Sequence, residues 1–442
     1  MLNRHKCFSG KDLRIYRFSL YKNLVQIGDH ISVTGVATRT SSGEPTLEAS
    51  ELPRLLTPTM EQLPAKLANE TTRMHDRHVD MLVNREVLDV LRLKSEITKH
   101  MRRHLESKRF LEFQTPILAD DAGGASARPF VTWSTEMRNK PLALRVAPEL
   151  WLKRLVVGGV DRVFEIGPAF RNEGLDATHN PEFTMCEFYS AYTNLDDLIK
   201  ETEELIYSLA QHCQECISTQ LTSLPELDLS RFARPFKQVE FVPALQDALG
   251  IRLPKLTTEA ALAEVIAVLK LTGIEVPGEV PTTLTKLLDR LAAIYLEPMS
   301  TTEPMFLINH PACMAPLAKS FLCPKTYQLV SARAELYFHG RELVNMYEEE
   351  NNPSEQRRKL EFHRLLVNKP DGQVGFDQPR EKDSKPDHDM DNDMEDKEMV
   401  QDGLARNHFD QEPIVERDWL RRTLDENYVR ALDHAQNASA TA

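Results

Sequence analysis

The segment "FRNEGLDATHNPEFTMCEFY" at positions 170–189 constrains the fold more than any other part of the sequence. The runs "RVFEIGPAF" before it and "FTMCEFYSAY" at its end are typical of β-strands. A buried strand is apolar throughout or alternates apolar with polar residues, and this segment does neither. Its charged residues include Arg171, Glu173, His179, Glu182 and Glu187. One such residue usually belongs to a solvated edge or an ion pair, but so many in one irregular stretch favour a bound ligand.

Composition limits the class of protein. The 442 residues carry a formal net charge of −13, which argues against coating nucleic acid through bulk charge but permits a local basic face. Cys213 and Cys216 form a C-x-x-C pair without a second pair at zinc-ligand spacing, so half-buried thiols are favoured over a metal or redox site. No apolar run approaches the roughly 20 residues that span a bilayer, which predicts no membrane partner.

The order of elements predicts an α+β chain of two or three domains. Residues 1–57 are assigned to part of a small β-domain, because "ISVTGVATRT", the turn "SSGEP" and "TLEASEL" indicate two strands, too few for an independent core. A Pro-containing linker occupies 58–83, and strands alternate with helices over 84–368. The acidic, aliphatic-poor residues 369–410 are predicted to be disordered, with a solvated charged helix as the alternative. Residues 411–442 are predicted to be helical.

Carboxylates beside strands indicate the chemistry of the ligand. Glu335 and Glu342 are seven residues apart, which would put them on opposite faces of one strand, so a turn at "HG" is predicted to separate two hairpin strands. Two carboxylates that converge on one point favour Mg²⁺ held against phosphates. Arg171 offers a planar fork for a phosphate or a carboxylate, and Phe183 offers a ring face to a base. Together these residues predict a nucleotide site.

Several longer segments resemble one family. "FRNEGLDATHNPEFTMCEFYSAY" closely resembles the second signature motif of the class II aminoacyl-tRNA synthetases. The segments "GGASARPF", "LRVAPELWLKRLVVGG", "FLINHPACMAPLAK" and "GRELVNMYEEENNP" narrow the resemblance to the lysyl-tRNA synthetases, and the wording is most similar to the fungal mitochondrial branch. The first motif is also recognisable in the helix before "FLEFQTPIL". The resemblance runs from about residue 23 to residue 435, apart from the acidic insert.

The resemblance implies a fold, an activity and partners. It implies a class II antiparallel sheet with flanking helices in 84–368, preceded in 1–57 by part of an OB-fold barrel that reads the tRNA anticodon. The implied activity is ATP-dependent ligation of lysine to tRNA(Lys) through lysyl-adenylate, with Mg²⁺, in the mitochondrial matrix rather than the cytoplasm. The first motif implies a homodimer, formed through the strand that ends at Pro116 and an apolar helix stripe. That stripe, recurring every four residues, is Leu93, Ile97, Met101 and Leu105.

The resemblance also implies roles for individual residues. Arg171 is the implied catalytic residue, in contact with the α-phosphate and the amino-acid carboxylate. The other implied ATP contacts are Glu173, His179, Asn180 and Phe183, whose ring would lie under adenine. The implied Mg²⁺ carboxylates are Glu335 and Glu342. For lysine, the implied contacts are Gly124 and Glu149 at the α-amino group, Asn345 at the carboxylate, Glu349 and Tyr189 at the ε-ammonium, and Glu187 in the pocket wall.

The surplus of carboxylates favours an amino acid with a cationic side chain. An uncharged side chain would leave those carboxylates buried and unpaired, at a cost of several kcal/mol. Aspartate and asparagine, the substrates of the sister enzymes, are disfavoured for this reason. Arg171 and Mg²⁺ would offset the repulsion between the amino-acid carboxylate and the α-phosphate.

The sequence departs from the family in two respects. It is expected to begin inside the family's five-stranded OB barrel, and it contains no G-x-G-x-[DE]-R, the third motif, whose arginine stacks on adenine. The chain is therefore expected to be truncated at both ends, with helix 411–442 cut before the third motif. The alternative to a ligase is a catalytically inactive fragment or a binding-only relative. An unrelated soluble α/β enzyme is a third, disfavoured interpretation.

Overall fold

The computed structural model describes residues 21, 23–119, 127–136, 141–175, 179–279 and 281–367, and the side chains of these residues except 363–367. Three sequence predictions lie outside the described residues. They are the acidic insert 369–410, the helix in 411–442 and the lysine contact Gly124.

The described residues form short strands and longer helices. The strands are, in chain order, β1 His30–Ser32, β2 Gly35–Arg39, β3 Pro45–Ala49, β4 Arg54–Thr57, β5 Leu111–Glu112, β6 Leu118–Ala119, β7 Val131–Trp133, β8 Pro141–Leu144, β9 Arg162–Phe170, β10 Glu182–Ser190, β11 Lys237–Glu240, β12 Met305–Ile308, β13 Ser320–Leu322, β14 Leu329–Ser331, β15 Arg333–Phe338 and β16 Arg341–Tyr347. The helices are α1 Glu70–His75, α2 Arg77–Val83, α3 Arg85–Ser107, α4 Glu149–Val157, α5 Leu195–Thr219, α6 Phe241–Leu249, α7 Ala261–Leu271, α8 Leu284–Tyr295 and α9 Pro353–Val367.

The described residues fall into two compact units, one drawn from Met1–Ile97 and Cys213–Glu226, the other from Thr98–His212 and Leu227–Ala442. In the first unit, β1 pairs with β4 and β2 pairs with β3, as two separate antiparallel sheets. The predicted partial OB-fold barrel is therefore not confirmed, and no closed barrel is seen among residues 23–119. The strands are three to five residues long and mostly exposed, so each two-stranded sheet encloses no interior.

The second unit has a mixed α/β architecture, as predicted for this part of the chain. Its larger sheets have the strand orders β10–β9–β5 and β11–β12–β15–β16. Pairing is antiparallel except for β5 with β9 and β11 with β12. The largest hydrophobic cluster is built from α6, α7 and α8 and includes Leu245, Val265 and Leu288. A smaller cluster around Phe306 and Leu336 packs on the four-stranded sheet.

Helix α4 and its flanking strands follow the sequence prediction. The helix begins after Pro148, whose lack of an N–H is tolerated at a helix start. It ends at Gly158, and Gly159 follows with φ +100°, a conformation that glycine adopts without strain. Strand β9 then leads through the charged loop into β10, with Glu187 directly opposite Glu165.

The β15–β16 hairpin is confirmed, with its two-residue turn at His339 and Gly340. Both turn residues have positive φ, 54° and 68°, as the tight turns that suit twisted strands require. The pairing shifts between Leu336, opposite Val344, and Tyr337, opposite Glu342, so that Leu343 is an extra, unpaired residue. This bulge determines which side chains of β16 share a face.

Helix α3 is confirmed, but one residue of its apolar stripe is wrongly predicted to face a partner. Leu105 has 0% of its surface exposed and packs against Phe110 and Phe164 within the same unit. A side chain in this core contributes nothing to a contact with a second chain. None of the helices in the part of the chain that the structure describes is both long and apolar enough to cross a membrane.

Candidate active site

The candidate site lies in the second unit, on one face of the β15–β16 hairpin and beside α4 and β10. Successive strand residues point to opposite faces, and the bulge at Leu343 reverses this alternation within β16. Without it, Glu342 and Asn345 would point to opposite sides. The residues that therefore share one face are Arg333, Glu335, Tyr337, Glu342, Asn345 and Tyr347.

A buried lysine joins two of the predicted lysine-binding carboxylates. The Nζ atom of Lys153 lies 2.6 Å from Glu149 Oε1, one turn earlier on α4, and 2.6 Å from Glu349 Oε2, just beyond β16. The hydroxyl of Tyr347 also donates a hydrogen bond to Glu149 Oε1. These contacts hold α4 against the end of the hairpin, although the two glutamates are far apart in the sequence.

Two tyrosine rings and a third carboxylate complete this pocket. Lys153 Nζ lies 5.7 Å from the ring centroid of Tyr189 and 5.2 Å from that of Tyr347, within cation–π range. The hydroxyl of Tyr189 donates to Glu187 Oε2 at 3.1 Å. The structure thus brings Glu149, Glu187, Tyr189 and Glu349 together, as the resemblance implied.

The carboxylates of this pocket are short of positive charge. Desolvation and the charge of Glu149 raise the pKa of Glu187 to about 8, although Lys153 and Arg171 act in the opposite direction. Desolvation also raises the pKa of Glu349 to about 8, against the lowering effect of Lys153. One further cation nearby would lower the pKa of Glu187 and of Glu349, because a cation favours the ionised form of a carboxyl group.

The second predicted pair of carboxylates has unequal surroundings. Glu335 accepts hydrogen bonds from His310 Nε2 and from the Tyr337 hydroxyl, both at 2.9 Å, and forms an ion pair with Arg333. Burial acts to raise the pKa of Glu335, but these three neighbours outweigh burial and lower the pKa to about 2. Desolvation and the nearby charge of Glu335 raise the pKa of Glu342 to about 7. Among the described residues Glu342 has no ion-pair partner, and the charges of Arg333 and Arg171 only partly offset the rise in its pKa.

Arg171 begins the loop after β9 and lies over a predicted ATP-binding ring. Its guanidinium carbon is 5.1 Å from the ring centroid of Phe183. Its backbone N–H donates to the Pro181 carbonyl at 2.9 Å, which closes the base of the loop. The guanidinium therefore covers one face of the ring that the resemblance assigns to adenine.

Strand β9, which leads into Arg171, is held by a buried ion pair that the sequence reasoning missed. Arg145 Nη1 lies 2.6 Å from Glu165 Oε1, and Arg145 Nε donates to the Pro168 carbonyl at 2.8 Å. Thr115 donates its hydroxyl to Glu165 Oε2 at 2.7 Å. A Cβ atom at Gly167 would lie 2.7 Å from Arg145 Nη2, so a larger residue there would displace the guanidinium of this ion pair.

The remaining predicted residues are more dispersed. Asn345 Oδ1 accepts a hydrogen bond from Arg333 Nε at 3.0 Å, which leaves the amide NH₂ of Asn345 as its donor group. Glu173, His179 and Asn180 are exposed residues of the β9–β10 connection, outside the pocket around Lys153.

Comparison with known proteins assigns this framework to a family. The profile described as tRNA synthetases class II (D, K and N) matches residues 69–377, more than half of the chain. The chain belongs to the class II tRNA synthetases. The charged loop, the carboxylate pocket and the hairpin all lie within the matched residues of this class II chain.

Within the class II family, lysine–tRNA ligases are among the curated proteins similar to this chain. The mitochondrial lysine–tRNA ligase of Schizosaccharomyces pombe is 42% identical over 366 residues, 81% of this chain and 66% of that protein. The probable cytoplasmic lysine–tRNA ligase of Enterocytozoon bieneusi is 37% identical, over 80% of this chain and 68% of that protein. The mitochondrial lysine–tRNA ligase of Saccharomyces cerevisiae is 35% identical, over 78% of this chain and 61% of that protein. The chain spans about two thirds of the length of these relatives, and the sequence-based resemblance is confirmed.

Sequence reasoning missed several residues of this class II site, and some of them had a signal. Lys153 lies four residues after Glu149, the spacing that places two side chains on one helix face. Tyr347 lies two residues before Glu349, the spacing that places two side chains on one strand face. Arg333 lies two residues before Glu335 on β15 and had the same signal, whereas the contact of His310 with Glu335 had none, because it depends on the pairing of β12 with β15.

Proposed function

We propose that the chain acts as a lysine–tRNA ligase, which activates lysine with ATP and transfers it to tRNA(Lys). The observation that carries this proposal is the pocket of Glu149, Glu187 and Glu349 around one internal cation. Desolvation raises the pKa values of Glu187 and Glu349, and the internal cation Lys153 only partly offsets this effect. The ε-ammonium of lysine would supply a second cation beside Glu349 and Tyr189.

The pocket favours lysine over the other two amino acids of this family group. The side chain of aspartate would place a further negative charge against three carboxylates that already repel one another. Asparagine would offer donors but no charge, which leaves the desolvated carboxylates uncompensated. The α-amino group of lysine would meet Glu149, with Gly124 as a second contact, and the amide NH₂ of Asn345 would donate to its carboxylate.

ATP would lie between Arg171 and the hairpin. The exposed loop residues Glu173, His179 and Asn180 and the ring of Phe183 would contact ATP, with adenine on the ring face that the guanidinium of Arg171 leaves open. The proposed catalytic residue, Arg171, would bind both the α-phosphate and the amino-acid carboxylate through its planar donors. This placement neutralises two anions that must approach each other for reaction.

Glu342 and Glu335 would hold Mg²⁺, and the residues present fit that ion. Both supply oxygen atoms, which Mg²⁺ prefers, and they lie on the same face of adjacent strands. Desolvation and the charge of Glu335 raise the pKa of Glu342, and a bound cation would lower it, while Glu335 is held in place by His310, Arg333 and Tyr337. When bound, Mg²⁺ would offset the negative charge of the phosphates.

The proposed reaction needs no nucleophilic side chain. The carboxylate oxygen of lysine attacks the α-phosphorus of ATP, pyrophosphate leaves, and lysyl-adenylate forms. A hydroxyl of tRNA(Lys) then attacks the lysyl carbonyl carbon and AMP leaves. The protein contributes position and charge through Arg171 and the three pocket carboxylates.

A second copy of the chain is the proposed protein partner. Leu111, Ile117 and Leu118 are large apolar side chains that are exposed in β5, in β6 and between them. This segment contains the strand that ends at Pro116, which supports a homodimer through it. A dimer mass by light scattering is expected, and a monomer that does not aggregate contradicts this partner.

The names of two relatives favour mitochondria as the proposed location.

Calorimetric titration with lysine, aspartate and asparagine tests the amino-acid assignment. Lysine alone is expected to bind, and absence of lysine binding or equal binding of asparagine overturns the amino-acid assignment.

Exchange of labelled pyrophosphate into ATP then separates a ligase from a protein that only binds lysine. Lysine-dependent exchange supports a ligase, whereas lysine binding without exchange supports the binding-only alternative.

A further inference from the structure

Lys153 is a charged side chain of the pocket that the proposed catalytic chemistry leaves without a role. Only 4% of its side chain is exposed, whereas 30% of the Glu349 side chain is exposed. Removing an ammonium group from water costs several kcal/mol unless good ionic partners replace the water. Glu149 and Glu349, each 2.6 Å away, are those partners.

The side chain of Lys153 is more deeply buried than that of Glu349, which keeps some contact with solvent. Lys153 also lies near the rings of Tyr189 and Tyr347. The ammonium group is therefore part of the wall, and the carboxylates are shared between this wall and a ligand.

The charges of the described pocket groups leave one negative charge uncompensated. In the lysine-bound state, the carboxylates counted as ionised are Glu149, Glu187 and Glu349. The cations are Lys153 and Arg171, which leaves a net charge of minus one. Free lysine carries two ammonium groups and one carboxylate, which is one net positive charge. Without Lys153 the deficit would double, and a proton would have to replace the missing cation.

We propose that Lys153 is a positioning residue that holds Glu149 and Glu349 together and makes ionisation of Glu349 easier when a ligand arrives, so that the pocket accepts an amino acid with one net positive charge at neutral pH. This inference rests on the proposed function, because it concerns how the same pocket binds lysine. Lys153 acts through the two glutamates and need not touch the substrate.

A pH dependence follows from this role, and groups on every surrounding element contribute. Helix α4 supplies Lys153 and Glu149, and the end of β16 supplies Tyr347 and Glu349. The remaining groups are Glu187 and Tyr189 on β10 and Arg171 at the end of β9. The positive charge of Lys153 lowers the pKa of both Glu187 and Glu349, which still reaches about 8.

Loss of the Lys153 charge therefore raises both pKa values above about 8. At pH 7 a variant without the charge must then release more protons to bind lysine than the wild type does. This cost decreases as pH rises and ionisation becomes easier. A purely structural defect would instead weaken binding by a similar factor at every pH.

The test is calorimetric titration of lysine into the full chain between pH 7 and pH 9. For Lys153→Met, the dissociation constant is expected to exceed that of the wild type by at least about tenfold at pH 7 and by less than about threefold at pH 9, since one pKa unit corresponds to a tenfold change. The ratio cancels the titration of lysine itself. Lys153→Arg keeps the charge, so its ratio to the wild type should not change with pH.

Lys200→Met is the matched control, because Lys200 is 75% exposed and pairs only loosely with Asp197, at 3.7 Å. It should match the wild type at every pH. Lys153→Gln is a second neutral variant, and far-UV circular dichroism checks the fold of each protein. If neither neutral variant folds, Lys153→Arg decides, and a ratio to the wild type that falls between pH 7 and pH 9 overturns the inference.

Other outcomes identify which proposal fails. If the wild type binds lysine and Lys153→Met binds it equally well, or equally weakened at pH 7 and pH 9, the role of Lys153 is overturned and the proposed function stands. If the wild type itself binds no lysine, the proposed function is overturned, and this inference is overturned with it.

Discussion

The two carboxylate clusters of the second unit differ in how the protein compensates their charge. Glu335 has three partners from its own chain, and its pKa is lowered to about 2. Glu349 contacts the cation Lys153, yet its pKa is raised to about 8 because desolvation outweighs that contact. The protein itself stabilises the ionised form of Glu335, whereas it leaves Glu349 with a pKa that one further cation would lower.

The largest expected effect concerns the compensated cluster. Glu335→Gln should lower the free energy of unfolding by about 3 kcal/mol at pH 7, since it removes the acceptor of a buried ion pair and leaves Arg333 and His310 without their partner. Urea denaturation measures this loss. An unchanged unfolding free energy would show that Glu335 does not support the fold.

The next effect concerns the uncompensated cluster and should appear in binding rather than in stability. Glu349→Gln should weaken lysine binding by more than about tenfold, the value of one charge-assisted hydrogen bond, while ATP binding is unchanged. The free energy of unfolding should fall by much less than in Glu335→Gln. Unchanged lysine binding by calorimetry would remove Glu349 from the site.

A smaller effect is expected in the pH dependence of stability. Glu187 and Glu349 have pKa values of about 8 in the folded chain, above the ordinary value of 4.5. The folded state then holds protons that the unfolded chain releases, so this contribution to stability is full below about pH 4.5 and is lost as pH rises to about 8.

The variant with both Glu187→Gln and Glu349→Gln lacks these titrations and provides the measurement. Between pH 5 and pH 8 it should gain about 1 kcal/mol of unfolding free energy relative to the wild type, a value reduced for solvent screening. Urea denaturation at both pH values gives the difference. A difference that does not change with pH would mean that the two carboxyl groups titrate normally.

The smallest expected effect concerns the ring beneath Arg171. Phe183→Leu removes a cation–π contact of about 0.5–1 kcal/mol, so ATP binding should weaken about two- to fivefold while lysine binding is unchanged. Fluorescence titration with an ATP analogue measures the first quantity and calorimetry the second. A loss of ATP binding beyond about a hundredfold would show that Phe183 supports the loop rather than the base.

Sequence reasoning predicted the local elements well, because their signals are local. The end of α4 at Gly158 and Gly159 and the turn at His339 and Gly340 depend on glycine and on short spacings. The small strands β1–β4 were the weak point, since two short pairs of strands give no indication of whether they close into a barrel.

The candidate site was predicted only in part, for a physical reason. The resemblance supplied Glu149, Glu187 and Glu349, but the cation between them was not recognised. Lys153 occupies a position that looks like the solvated face of an amphipathic helix. Its burial depends on Glu349, which is far away in the sequence and reaches α4 only through the pairing of β15 with β16.

The bulge at Leu343 absorbs one residue of β16 that the face of the site does not use. Leu343 is 50% exposed and has no partner residue in the ladder, so many side chains should be tolerated there. Deleting it would leave Glu342 two residues before Asn345, the spacing at which two residues of a regular strand share a face, so Glu342 would stay beside Glu335 and Asn345. The protein should therefore tolerate both substitution and loss of this exposed residue, whereas pairing Leu343 into the ladder would turn Glu342 away from the site.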